Sequence, residues 1–273
     1  MIFDDTQCAL GEGPLWHPER QQLFWFDILN QRLHTKGQHW QFDTYVSAAG
    51  WVDRDTLLIA SARALHRFDI PSGDHTEICP LEADNPLTRS NDGRADPWGG
   101  FWIGTMGIKS EKNAGAIYRY YKGELRQLFT PITISNAICF APDGKTAYFT
   151  DTPTQQIMRV ALDADGWPDG TPVIHIDLSE TEFRPDGAVV DMAGNLWSAQ
   201  WGNARVAGYT PDGTFITAHA FPARQTTCPA FGGPDMRRLH CTSAATGLDG
   251  DDHGKTFAIE TQITGQKEHR VLL

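Results

Sequence analysis

The stretch Ile134–Thr152, ISNAICFAPDGKTAYFTDT, holds one complete copy of the unit that the chain repeats. Apolar positions at Ile134, Ala137, Ile138 and Phe140 read as a strand. Pro142-Asp143-Gly144 then reads as a turn, because proline presets the turn dihedral and glycine accepts positive φ. A second strand, Thr146–Thr150, ends at Asp151, and two such runs around this turn predict a β-hairpin. Asn136 is the odd residue, a polar amide at the entrance of an otherwise apolar strand. Taken alone it reads as a strand-end cap; its counterparts in other units reverse that reading.

Working outward, six related units follow one another. They open near Glu12 (in Gly11-Glu12-Gly13-Pro14), Gly50, Asn91 (in Arg89-Ser90-Asn91-Asp92-Gly93), Asn136, Asp186 (in Arg184-Pro185-Asp186-Gly187) and Gly232. The steps run from 38 residues (Glu12 to Gly50) to 50 (Asn136 to Asp186). Units of this length with several short strands each predict propeller blades. No stretch combines helix caps with a helical apolar stripe, so an α/β fold is not expected, and the regular recurrence disfavours a sandwich. The expectation is an all-β, six-bladed β-propeller with a central metal site, formed by residues 1–273 as a single domain.

Composition agrees. The 273 residues are 40% hydrophobic and 21% charged, enough to bury a core, and 26 Gly with 16 Pro suit many strands joined by turns. The net charge is −11 and no basic run occurs, which argues against nucleic acid or an anionic membrane as partner. Nothing at the N-terminus reads as a signal peptide, and no apolar run reaches the length of a membrane span. Five cysteines, an odd number without a Cys-x-x-Cys pair, read as free thiols in a reducing, cytoplasmic compartment. A monomer is expected, because propellers shield their strand edges.

In a propeller the first strand of each blade lines the central channel. Polar residues at that position in several blades therefore converge on the axis. Glu12, Asn91, Asn136 and Asp186 take that place in four of the six units. The carboxylates of Glu12 and Asp186 with the amide oxygen of Asn136 form an all-oxygen set that suits a hard divalent cation. The competing reading is a plug of hydrogen-bonded side chains in a wet channel.

Together Gly11-Glu12-Gly13-Pro14, Arg89-Ser90-Asn91-Asp92-Gly93, Gly104-Thr105-Met106, Ser135-Asn136, Arg184-Pro185-Asp186-Gly187 and Phe231-Gly232-Gly233 resemble the SMP-30/gluconolactonase/regucalcin family in motif order and spacing over nearly the whole chain. The resemblance implies a six-bladed propeller with one divalent metal on its axis that hydrolyses sugar lactones. It implies Glu12, Asn136 and Asp186 as metal ligands, Asp186 also as catalytic acid/base, and Arg89 and Asn91 as substrate-binding residues. The family can place an acidic substrate contact three residues past the Met of Gly-Thr-Met; this chain has Lys109 there, in the Gly107–Gly115 loop.

The residues suit that chemistry. A cation polarises the lactone carbonyl or lowers the pKa of a bound water, and Asp186 can move the proton to the departing ring oxygen. Arg89 offers a fork of donors, and Asn91 can both donate and accept toward a polyol. Oxygen donors favour Ca2+, and Zn2+, Mg2+, Mn2+ or Fe2+ also accept them. The expected substrates are aldono-lactones of glucose, galactose, arabinose or xylose. Two rival readings are a phosphotriesterase or esterase on the same metal, and a calcium-binding regulatory propeller without turnover. Asp92 reads as a loop-fixing residue, His17 as a turn residue and Cys139 as a core thiol. No Gly-x-Ser-x-Gly elbow and no dinucleotide fingerprint occurs.

Overall fold

A computed structural model describes residues 1–273, which form six antiparallel four-stranded sheets and one helical turn at Thr152–Thr154. The innermost strands are Gly11–His17, Val46–Asp53, Thr88–Ala95, Ser135–Phe140, Arg184–Val190 and Gln225–Gly232. Each packs on the next and the sixth packs on the first, so the sheets close into a ring. This is the six-bladed β-propeller that the repeats predict. The sixth blade takes its outer strand, Ile2–Asp4, from the chain's N-terminal end, paired with Thr256–Glu260. That pairing joins the two ends of the chain and leaves no open seam.

Burial follows the layer. Inner strands such as Gly11–His17 and Ser135–Phe140 are buried along their whole length, whereas the outer strands Gln38–Gln41 and Phe215–Ala220 are mostly exposed. The core therefore lies between blades. Phe24, Phe26 and Leu33 of the first blade, for example, pack with Leu57, Ile59 and Phe68 of the second. The Pro142-Asp143-Gly144 turn forms as expected: Gly144 takes φ 68°, and the Asp143 carboxylate accepts the Lys145 N–H at 2.8 Å.

Every inner strand is broken by an irregularity of register near its start. A bulge leaves residues unpaired and re-aims their side chains. Glu12 and Asn136 are the last paired residues before their bulges, opposite Phe26 and Thr150. Asn91 and Asp186 follow the paired residues Ser90 and Pro185, one position later. The four anchors are thus offset by one residue and not strictly equivalent. Two anchors need correction: Gly50 lies in the middle of its strand, opposite Leu58, and Gly232 ends its strand, opposite Arg238, both past the bulge. The residues at the bulges of those blades are Ser47 and Thr227, short hydroxyls that give no comparable signal in the sequence.

The bulge of the first blade requires glycine. Gly13 has φ 52°, and a Cβ there would lie 2.2 Å from the Ser47 carbonyl oxygen. Backbone cannot yield as a flexible side chain can, so Gly13→Ala should cost about 1–3 kcal/mol and displace Glu12. A thermal melt tests this; an unchanged Tm would contradict it.

At the far end of the ring the C-terminal segment crosses the axis. Gln266 Nε2 donates to the Phe140 and Val190 carbonyls at 3.0 and 2.9 Å, Glu268 pairs with Arg94, and Val271 is wholly buried. What remains there is a cavity of only about 30 Å³. The channel is open at one end.

Candidate active site at the open end of the channel

The open end holds a cavity of about 420 Å³ lined by Glu12, Arg89, Asn91, Asn136 and Asp186 together. All five are nearly or fully buried, at 3–6% exposure, though they come from four different blades. The bulges explain the convergence, since each turns a polar side chain of an apolar strand toward the axis.

Hydrogen bonds fix the two amides unambiguously. Thr152 Oγ1 donates its one hydrogen to the Pro185 carbonyl at 2.8 Å, so it must accept from Asn136 Nδ2, 3.0 Å away. That leaves Asn136 Oδ1 facing the axis, where Asn91 Nδ2 donates to it at 3.1 Å. Asn91 Nδ2 also donates to the Ser135 carbonyl at 2.9 Å, and Asn91 Oδ1 accepts from Arg89 Nη1 at 2.8 Å. Both hydrogens of the Asn91 amide are thereby engaged, and only its oxygen keeps a free lone pair. Arg89 Nη1 donates further to the Ser90 carbonyl, while its buried Nε has no partner.

The carboxyl groups of Glu12 and Asp186 face the same cavity as close neighbours, Glu12 Oε2 also accepting the Gly13 N–H at 2.9 Å. Burial pushes Glu12 well above the ordinary carboxylate range, and Asp92 adds to the rise. Asp186 is raised by burial, then by the negative charges of Glu12 and Asp92. Burial lowers Arg89 to about 10, which leaves it charged at neutral pH. Two buried carboxyls in contact, with an oriented amide oxygen beside them, are a set of hard oxygen donors held away from water. Such a set fits a divalent cation, whose charge would offset that of the two carboxylates.

Asp92 fixes the neighbouring bulge, its Oδ2 accepting the Ile138 N–H at 2.7 Å; burial pushes its carboxyl up to about 6. His17 joins two blades at a turn, its Nε2 lying 3.0 Å from the Asp53 carbonyl oxygen. Cys139 is a buried core thiol. Lys109 is exposed and does not line the cavity; Ser110 does, and Glu111 turns its carboxylate back to the Lys109 N–H at 2.9 Å.

Several lining residues were not singled out as site residues from the sequence. Leu10, Met106, Ile134 and Trp201 form apolar walls, and Thr152, Gln155 and Arg184 add polar groups. The available signals were membership of a quoted motif for Met106 and Arg184, and position for Thr152, which ends the stretch that opens the repeat.

Cys8, Asp27 and His34 form another buried cluster, with ligand-type atoms within 4.8 Å of one another. The Asp27 carboxylate, however, accepts from Ala9 N, Leu10 N, Asn30 N and Asn30 Nδ2 at 2.7–3.3 Å. Four donors occupy its lone pairs. Asp151 in the fourth blade holds Thr133 N and Ile134 N in the same way, which marks Asp27 as a strand-entry clamp.

The sequence matches the family described as SMP-30/Gluconolactonase/LRE-like region over residues 10–245. A Rhizobium meliloti protein provisionally named a sugar lactone lactonase is 42% identical, covering 97% of this chain and 95% of its own. The pentonolactonase of Haloferax volcanii is 34% identical over 97% of this chain and 96% of its own. The crystal structure of Agrobacterium tumefaciens regucalcin, described as a calcium-binding protein, superposes with a TM-score of 0.96. It is 41% identical and covers 100% of this chain and 97% of that one.

Proposed function

Because the chain belongs to the SMP-30/gluconolactonase/LRE-like family, and is through its relatives a hydrolase of lactone bonds, we propose that it opens aldono-lactones to aldonic acids at the axial cavity. The sugar would be gluconolactone, galactonolactone, arabinolactone or xylonolactone. The observation that carries this reading is the buried Glu12–Asp186 carboxyl pair beside the fixed Asn136 oxygen, open to a cavity that accommodates one sugar ring.

Glu12, Asn136 and Asp186 would hold one divalent cation, with Ca2+ the first expectation for this donor set. When bound, the cation supplies Lewis-acid polarisation of the lactone carbonyl. The chain's own residues do the rest. Asp186 takes a proton from the attacking water and returns it to the ring oxygen as the C–O bond breaks. Arg89 presents Nη2, which has no partner within the chain, to a substrate oxygen, and its Nη1 bonds to Asn91 and Ser90 hold the guanidinium in place. Asn91 accepts one sugar hydroxyl through its remaining lone pair and otherwise positions Asn136. Met106, Ile134 and Trp201 cover the apolar face of the ring and limit water.

A pH-indicator assay of the four aldono-lactones, run beside a paraoxon-type phosphotriester and a simple aryl ester, tests the reading. Lactones should be turned over in preference. Turnover of the phosphotriester without lactone hydrolysis would sink it.

Thr152 gives a further check, because it acts on the cation only through Asn136. Thr152→Val removes the hydroxyl that orients the amide and should weaken metal affinity by about 10–100-fold. Calorimetric titration of stripped protein reads this directly, and unchanged affinity would contradict the assigned orientation.

A further inference from the structure

The ionisable residues lining the axial cavity are Glu12, Asp186, Arg89 and Arg184. On the reading above, the two carboxylates match the charge of one divalent cation. Two guanidinium groups then remain uncompensated in the cavity of a chain whose net charge is −11. Arg89 is buried at the axis and faces the reacting end of the substrate. Arg184 is exposed at the mouth and takes no part in the six ion pairs of the chain.

The surroundings of Arg184 extend the positive charge outward. A second cavity of about 490 Å³ shares Gln155, Arg184 and Trp201 with the first and so adjoins it. Its charged lining is Arg184, Arg224 and Glu182, a net positive groove. The Arg224 side chain makes one long hydrogen bond, from Nε to the Gly202 carbonyl at 3.4 Å, and is likewise without an ion pair. Arg184 opens the strand that carries Asp186 two residues later, a backbone separation of about 6–7 Å. That is roughly the span from the lactone carbonyl to the far end of a sugar ring.

We propose, resting on the lactonase reading, that the preferred substrate is a sugar lactone with an anionic group on the carbon remote from its carbonyl, and that Arg184 receives that group with Arg224 beyond it. A guanidinium fork matches phosphate, sulfonate and carboxylate oxygens alike, and a concave wall of one sign concentrates such ligands.

The test compares gluconolactone with its terminal phosphate, sulfonate and carboxylate counterparts on metal-loaded wild-type, Arg184→Gln and Arg184→Lys enzymes. Wild type should favour the anionic lactones by about tenfold or more in kcat/KM, mostly through KM, as for a charge-assisted hydrogen bond. Arg184→Gln should bring the ratio of kcat/KM for anionic over neutral lactone down to about one, while Arg184→Lys restores part of it. The preference should shrink as ionic strength rises toward about 0.5 M. The ranking of the three anions identifies the group recognised. Equal specificity for neutral and anionic lactones in wild type overturns this inference alone, as does an equal loss on both in Arg184→Gln. Hydrolysis of none of them by folded, metal-loaded protein overturns the lactonase reading and this inference with it.

Discussion

Asp186→Asn should lower kcat for lactone hydrolysis by about three orders of magnitude, with a far smaller effect on KM. The amide keeps the size of the side chain but cannot accept the proton of the attacking water, and it removes one of the two charges proposed to hold the cation. The stability readout should move the other way. In metal-free protein Asp186 is a buried carboxyl raised by its own burial and by Glu12 and Asp92, so its charge is an internal liability. Replacing it with a neutral amide should leave the metal-free Tm unchanged or higher at pH 8. The combination separates loss of chemistry from loss of fold. Activity within tenfold of wild type would contradict the assigned role.

The metal-free protein should also lose stability as pH rises, opposite to the usual behaviour of carboxylates in folded proteins. Burial pushes the Glu12 carboxyl from its ordinary 4.5 up to about 8, and that of Asp92 from 3.8 up to about 6; Asp186 is raised as well. For groups raised in this direction the folded state binds more protons than the unfolded chain. Their contribution is fully present below the unfolded pKa and is lost as pH climbs through the folded value. The window therefore runs from about pH 4 to about pH 8. Across it the metal-free Tm should fall by at least about 5 °C, given a few degrees per kcal/mol for a chain of this size. Saturating divalent cation should flatten the slope, because it favours the ionised carboxylates and binds only the folded site. A flat or rising Tm in stripped protein would contradict the carboxyl cluster as described.

Much of this was legible in the sequence because propeller blades repeat. The hairpin around Asp143-Gly144 and its relatives specified the fold, since Pro, Asp and Gly act through local backbone physics. Glu12, Asn136 and Asp186 stood out as polar residues entering apolar strands, and the structure brings them to one cavity. The bulges did not show. They depend on pairing between strands, so the one-residue offset between Glu12 and Asn136 on one side and Asn91 and Asp186 on the other has no local signature. Ser47 and Thr227 escaped for a related reason, since small hydroxyls are common in strands and glycines nearby drew the alignment to Gly50 and Gly232. Closure by Ile2–Asp4 was hidden because a three-residue strand carries no periodicity. Thr152 and Arg184 were visible as letters only; their relation to Asn136 and to the cavity mouth exists only once the ring has closed.

The most direct test of the central claim is a proton-release assay on aldono-lactones with chelator-stripped protein titrated with one divalent metal at a time. The account predicts negligible turnover before addition, and turnover that rises in proportion to metal and saturates at one ion per chain. Saturable binding of one ion by folded protein with no lactone hydrolysis for any metal, or full activity in protein shown to be metal-free, would contradict it.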